Sequence, residues 1–241
     1  MRINIVVPVL NEEFRIQRGI EQAVRYLEDH LQDKYQITIV DNGSTDNTET
    51  IAKHLVEEHK HISYMKLSQR GVGLALREAV KLNECEIIGY MDVDLSTDLQ
   101  HIKQVYDLFE NHENTKIVNG SRIKQHSNVK NRKLIREITS RGLNLILKIL
   151  LGVKFTDAMC GFKFFNRNVI EDLIDKSSDN HGWFYCAELL VRAEWEGIEI
   201  QEIAVNWDDD PNSKVKIMKL VITYMKEIMK LRKEKGESHT A

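Results

Sequence analysis

A chain of 241 residues with 42% hydrophobic and 29% charged residues has the makeup of a folded globular protein, which excludes disordered and fibrous classes. A net charge of −3 gives no general attraction to nucleic acid, and no run of about 18 apolar residues is present to span a membrane. The three cysteines, Cys85, Cys160 and Cys186, lie scattered without metal-ligand spacing and read as reduced thiols of a cytosolic protein.

Ile3–Val9 is a β-branched run, the mark of a strand buried on both faces, and it is too short for a signal-peptide core. Glu13–Leu31 follows with Ile16, Ile20, Val24, Leu27 and Leu31 at helical spacing. Strands are then predicted at Ile37–Val40, Ile62–Leu67, Glu86–Met91 and Lys116–Asn119, separated by helices at Asp46–Glu58, Gly71–Leu82 and Leu99–Asn111. This alternation implies βαβ units, hence an α/β fold with a mostly parallel sheet and right-handed crossovers. Further on come a long helix at Lys133–Leu151, a short strand at Phe162–Phe165 and a helix at Trp183–Glu196. A strand at Glu199–Val205 and a basic amphipathic helix at Lys214–Lys233 complete the pattern, with neither repeats nor a Gly/Ser linker.

Ligands of open parallel sheets bind beyond the carboxyl ends of the strands, and these ends are all polar here. Strand one runs into Asn11-Glu12, strand two into Asp41-Asn42-Gly43-Ser44-Thr45-Asp46, strand four into Asp92-Val93-Asp94, and strand five into Gly120-Ser121-Arg122. Residues two apart in a strand share a face, so Asp92 and Asp94 repel unless a cation joins them. Hard oxygen ligands suit Mg²⁺ or Mn²⁺, which also hold substrate phosphates; the other reading is a solvated turn before a helix capped by Asp98. Ser44 and Asp46 have capping roles available, whereas Asp41 lies several residues early and can accept from a nucleobase. Asn11-Glu12 divides evenly between helix start and nucleotide contact. Gly71-x-Gly73 follows the third strand, not the first, which argues against a dinucleotide cofactor.

Taken together, the segments VVPVLNEE, VDNGSTDNT, MDVDLSTDL, NGSR, TSRGLN, FTDAMCGFKFF, GWFYCAELLVRAEWEG and WDDDPNSKV resemble the family 2 glycosyltransferases of the GT-A fold, a Rossmann-like architecture. The second-half segments are similar to the dolichyl- and polyprenyl-phosphate mannosyl- and glucosyltransferases. The resemblance implies that Pro8, Asn11, Glu12, Asp41, Asn42 and Val93 surround the nucleotide, and that Asp92 and Asp94 hold the metal and donor diphosphate. It implies that Arg122, Arg136 and Ser140 receive the acceptor's phosphate, while Asp157, Gly161, Phe162 and Lys163 line the sugar and acceptor pocket. Core packing is the alternative for Phe162, Phe164 and Phe165. Lys214 is implied to close over the diphosphate. Val72 stands where relatives often carry a basic residue, Ser96 where mannosyltransferases often carry Gln, and DDDPNSKV replaces a G-x-S-K tail; the last two lean toward the glucosyl branch.

The expected organisation is one catalytic domain over residues 1–212, nucleotide-sugar side 1–122 and acceptor side 123–212, then an amphipathic basic helix and tail over 213–241. The implied reaction is inverting, metal-dependent transfer of a hexose from a nucleotide diphosphate sugar, UDP-glucose first and GDP-mannose second, to undecaprenyl or dolichyl phosphate. A lipid acceptor calls for peripheral contact with the cytoplasmic face of the membrane. Leu143–Val153 and Lys214–Lys233 are the candidate segments, with packing on the core or in a homo-oligomer as the alternative. Rival readings are a polysaccharide-building transferase, a nucleotidyltransferase lacking its Gly-rich loop after strand one, and a non-catalytic nucleotide-sugar-binding protein.

Overall fold

The computed structural model describes residues 1–209 and 217–238, the side chains of 217–219 and 238 excepted. Buried runs and amphipathic segments alternate through its first half as β1 (Ile3–Val9), α1 (Ile16–Leu31), β2 (Tyr35–Asp41), α2 (Thr48–Glu58), β3 (Ile62–Lys66), α3 (Val72–Lys81), β4 (Ile87–Met91), α4 (Gln100–Asn111) and β5 (Ile117–Ser121). The second half comprises β6 (Asn128–Lys130), α5 (Leu134–Leu151), β7 (Phe162–Asn166), α6 (Arg167–Asp175), α7 (Phe184–Trp195), β8 (Ile200–Ala204), β9 (Asn206–Asp208) and α8 (Ile217–Ser238). Helix α1 starts three residues later than its apolar spacing suggests, because Asn11 takes a left-handed conformation (φ 55°) and Arg15 and Ile16 N–H both turn back to the Glu12 carbonyl. Helix α6, absent from the sequence reading, is capped by Asn166, whose side chain accepts from Asn168 N–H.

Seven strands form one sheet in the order β3-β2-β1-β4-β7-β5-β8, and β6 pairs with β9 in a small parallel sheet. All neighbours in the large sheet run parallel except β7, which lies antiparallel between β4 and β5. Ile3, Ile5, Val7 and Val9 of β1 face the core shared with α1, α2 and α4, while Val6 faces the core built with α3, α5, α6, α7 and α8. Two covered faces explain the continuous apolar strands. Helix α8 buries Tyr224, Ile228 and Leu231, with Tyr224 against Phe184 at 5.6 Å. Core packing therefore holds one side of this helix, while Ile222 and Met229 stay exposed.

Gly142 sits within α5 with no atom inside 4 Å of where a Cβ would be. Gly142→Ala should therefore raise stability by about 0.5–1 kcal/mol by relieving glycine's entropy cost. A higher midpoint in urea unfolding checks this; an unchanged or lower one contradicts it.

Candidate functional site

The carboxyl ends of β1 and β2 are laced to each other. Asn11 N–H donates to Ser44 Oγ at 3.0 Å, Asn11 Oδ1 accepts from Thr45 N–H at 2.8 Å, and Glu12 N–H donates to Thr48 Oγ1 at 2.8 Å. Asn42 donates to the Val9 carbonyl at 3.3 Å and accepts from Gly71 N–H at 3.1 Å, joining β1, β2 and the loop before α3. Gly43 has φ 80°, which admits this turn. Glu12 pairs with Arg15 at 2.7 Å, and burial raises its pKa against that cation. Pro8 lies partly buried in β1 opposite Val40. Asp41 is fully buried, and its two oxygens accept from Ser44 N–H at 2.7 Å and Tyr64 Oη–H at 3.0 Å. Its first task is thus to anchor the turn, although each oxygen retains a second lone pair.

Asp92 follows β4 and is partly buried, whereas Asp94 is exposed. Asp94 Oδ1 accepts from Ser96 N–H at 3.0 Å and Ser96 Oγ–H at 2.8 Å, and Leu95 between them is held at φ 55°. Val93 points into the core, its carbonyl packed so closely on Gly19 of α1 that a Cβ there would meet it at 2.2 Å. Gly161 performs the same service for Asp92, since a Cβ at Gly161 would lie 2.2 Å from Asp92 Oδ2. Burial and then the Asp94 charge push the Asp92 pKa up to about 7. Two carboxylates that repel each other, even with Arg122 and Lys163 acting on Asp92, fit a divalent cation. Among the described residues no group of three or more His, Cys, Asp or Glu is placed to hold a metal alone. Substrate oxygens would complete the shell, the usual habit of Mg²⁺.

Beyond β5 lies a cluster of arginines and acids. Arg122 Nε and Nη2 donate to Asp157 at 2.8 and 2.9 Å, Arg122 N–H adds a third bond at 3.1 Å, and the guanidinium covers the Trp207 ring at 4.8 Å. Burial pushes the Asp157 pKa up, but Arg122 outweighs it and holds the carboxyl down to about 2. Arg122 thus commits Nε and Nη2 of its guanidinium to Asp157, and Asp157 is a fully buried counter-ion. Lys163 is likewise fully buried, its Nζ donating to the Cys160 carbonyl at 2.5 Å. Phe162, Phe164 and Phe165 are all core residues.

Arg136 and Ser140 lie one turn apart on α5. Arg136 Nη1 stands 3.5 Å from Asp209, which also accepts from Trp207 Nε1 at 2.7 Å. Strand β9 ties this cluster to the aspartates, because Asp208 N–H donates to the Ser96 carbonyl at 2.8 Å. Lys214 lies outside the described residues. Trp207 and Asp209 lie in the quoted WDDDPNSKV segment but were given no site role, and Arg132 was not named. The four-residue spacing of Arg132, Arg136 and Ser140 was the available signal for Arg132.

The family model for glycosyl transferase family 2 matches residues 4–174. The chain is 30% identical over 232 residues to glycosyltransferase AglD of Haloferax volcanii, covering 95% of this chain but 37% of that protein. It is 27% identical to a dolichyl-phosphate beta-glucosyltransferase of Dictyostelium discoideum, covering 95% and 73% of the two chains. Among solved structures, glucosyl-3-phosphoglycerate synthase from Mycobacterium tuberculosis with UDP superposes at TM-score 0.71 and 19% identity, over 96% of this chain and 80% of that one. The same enzyme with Mn²⁺, UDP and glucosyl-3-phosphoglycerate gives 0.66 at 18% identity, over 91% and 74%. These two similarities show a shared fold.

Proposed function

The chain belongs to glycosyl transferase family 2 and is a glycosyltransferase of GT-A fold, and from that premise we propose that it transfers a hexose from a nucleotide diphosphate sugar to a polyprenyl phosphate. The observation that carries the acceptor class is the two-sided start of α5. Arg136 and Ser140 face the cluster, while Leu134, Ile135 and Ile138 stand 74%, 53% and 58% exposed within the same turns. A guanidinium and a hydroxyl set beside an apolar surface suit a phosphate carried by a hydrocarbon chain. Leu145 and Ile149 extend that exposed stripe along α5, and exposed lysines alternate with Ile222 and Met229 on α8. Such faces favour peripheral contact with an anionic membrane surface, in our reading on the cytoplasmic side. Among the described residues no helix is long and apolar enough to cross a membrane.

The reaction needs little proton transfer, because a phosphate monoester is already anionic at neutral pH. One acceptor phosphate oxygen attacks the anomeric carbon as the bond to the donor diphosphate breaks, which inverts that carbon and releases the nucleotide diphosphate. Arg136 and Ser140 hold the nucleophile in line. Pro8, Asn11, Glu12 and Asn42 form the nucleotide's side of the cleft, with Asp41 and Val93 fixing its walls. Asp92 and Asp94 hold Mg²⁺ or Mn²⁺, which supplies Lewis-acid stabilisation of the leaving diphosphate. Glucose is our first choice of sugar, supported by relatives named dolichyl-phosphate beta-glucosyltransferase. Lys214 is our candidate for closing on the bound diphosphate.

Purified protein incubated with undecaprenyl phosphate and labelled UDP-glucose should move label into an organic-extractable product, with Mn²⁺ or Mg²⁺ and not with chelator. GDP-mannose and UDP-N-acetylglucosamine serve as competing donors. No labelled lipid from any donor, despite nucleotide binding, would redirect the acceptor to a glycan.

A further inference from the structure

Of the Phe, Tyr and Trp side chains among the described residues, Phe14 and Trp183 alone are exposed, at 91% and 43%. Phe14 follows β1 directly, whereas Trp183 is carried in from a distant part of the chain at the opening of α7. Contacts on two sides fix where it stands. On one side, Gly73 N–H donates to the His181 carbonyl at 3.0 Å. A Cβ on Gly71 would lie 2.1 Å from that carbonyl oxygen, and one on Gly73 would lie 2.5 Å from Tyr185 Cβ. Gly71 is the residue that donates to Asn42, so the start of α7 is pressed on the nucleotide's side of the cleft.

On the other side, Cys186 is hydrogen-bonded to Tyr90, two residues before Asp92. Burial pushes the Cys186 thiol up, Lys163 and the Tyr90 bond draw it down, and the Asp92 charge adds to the rise. Trp183 has helical angles (φ −59°, ψ −30°), so it shares a helix face with Cys186 three residues on. Helix side chains lean toward the N-terminus, which carries the indole past Cys186 into the space between the Gly71 loop and Asp92.

The mount is rigid. Buried Glu188 accepts from Ser178 N–H at 2.8 Å, Ser178 Oγ–H at 2.5 Å and Arg192 Nε at 2.8 Å. Arg77 covers the Tyr185 ring at 4.6 Å and donates to Asp179 at 3.1 Å and to the Ser178 carbonyl at 2.9 Å. Asn180 Oδ1 accepts from Gly182 N–H at 2.7 Å, and Phe184 behind the indole is buried. A tryptophan held out of the core on so fixed a backbone keeps a large apolar face for a ligand. Between the groups assigned to the nucleotide and those assigned to the metal, the donor places its diphosphate and its hexose. The diphosphate calls for cations, and the hexose ring offers a face of C–H groups that lies flat on an indole.

We propose that Trp183 stacks on the apolar face of the donor hexose, holds the ring in place during transfer and contributes to the choice of sugar. This rests on the nucleotide-sugar reading above and does not depend on the acceptor.

The test is calorimetric binding of UDP and of UDP-glucose to the full chain with Mn²⁺, together with tryptophan emission; GDP and GDP-mannose are run as the second pair. UDP-glucose, and not UDP, should change the emission of the wild type. Trp183→Ala should weaken the sugar nucleotide at least tenfold and leave the free nucleotide unchanged, which also reports an intact fold. Trp183→Phe should weaken it by less, and both variants should lose the emission change. Wild-type affinity of Trp183→Ala for both sugar nucleotides would overturn the assignment. An equal loss of UDP and UDP-glucose would overturn it too, because the residue would then serve the nucleotide or the fold. Selective loss of the sugar nucleotide in a protein that labels no lipid would keep the assignment and remove the lipid acceptor. A wild type that binds neither sugar nucleotide would overturn the donor reading and this assignment together.

Discussion

Asp157→Ala is expected to lower stability by about 3–5 kcal/mol, the cost of leaving a buried guanidinium without its counter-ion. Asp157 accepts two side-chain bonds and one backbone bond from Arg122, and a further bond from Met159 N–H at 3.2 Å. Removing it strands a cation pressed on Trp207 in a nearly closed space. At about 2–4 °C per kcal/mol for a chain of this size, the midpoint of thermal unfolding should fall by more than 6 °C. Arg122→Met in the same background should recover much of that loss, because no uncompensated charge remains. The pH dependence has a definite sign. A carboxyl held at about 2 in the folded protein stabilises it fully above the unfolded value near 3.9, and the contribution is lost as pH falls through that interval. The acid limb of the unfolding curve should therefore move to higher pH in Asp157→Asn. A single variant as stable as the wild type would show the pair to be incidental.

Asp94→Ala should reduce sugar transfer by about 10³-fold, in line with the loss of a principal stabiliser of transition-state charge. Asp92→Asn should do the same, with an opposite effect on the fold. Its carboxyl has a pKa near 7, far above the unfolded value, so the metal-free protein loses stability as pH rises from about 4 to 7 and the group ionises. Asparagine carries no charge to desolvate, so metal-free Asp92→Asn should melt higher than the wild type at pH 8 and close to it at pH 4. Divalent-ion affinity of the wild type, followed by Mn²⁺ paramagnetic resonance, should fall as pH drops below about 7 because the ion must displace that proton. Equal melting temperatures at pH 8, or Mn²⁺ binding indifferent to pH, would contradict this account of Asp92.

Much of this architecture could be read from the residues. Strands β1 to β5 are written as apolar runs because both sheet faces are covered, and the polar residues that follow them, Asn42 and Asp92 among them, fall at the carboxyl edge. What escaped was of two kinds. Elements of three residues, β6 and β9, are shorter than any period, although β9 carries the Trp207 that covers Arg122. Side-chain commitments were the other kind: the motifs named Arg122, Asp157 and Lys163 but gave no sign that Asp157 pairs with Arg122 or that Lys163 Nζ donates to the Cys160 carbonyl. Such pairings depend on segments distant in sequence, and local spacing does not encode them.

The reversed strand β7 also has a bearing on how the chain reaches this state. Strands β1 to β4 pair among themselves using only residues up to Met91, so that unit can assemble from sequence already adjacent to it. Strand β5 has no direct bond to that unit; its neighbours are β7 and β8, both made later in the chain. Residues Phe162–Asn166 must slide between the two groups before the sheet becomes continuous. Closing that long loop carries an entropy cost with no sheet bonds to offset it until β7 docks. The part of the sheet edge that carries Asp92 can therefore form early, and the part that carries Arg122 waits on one five-residue strand.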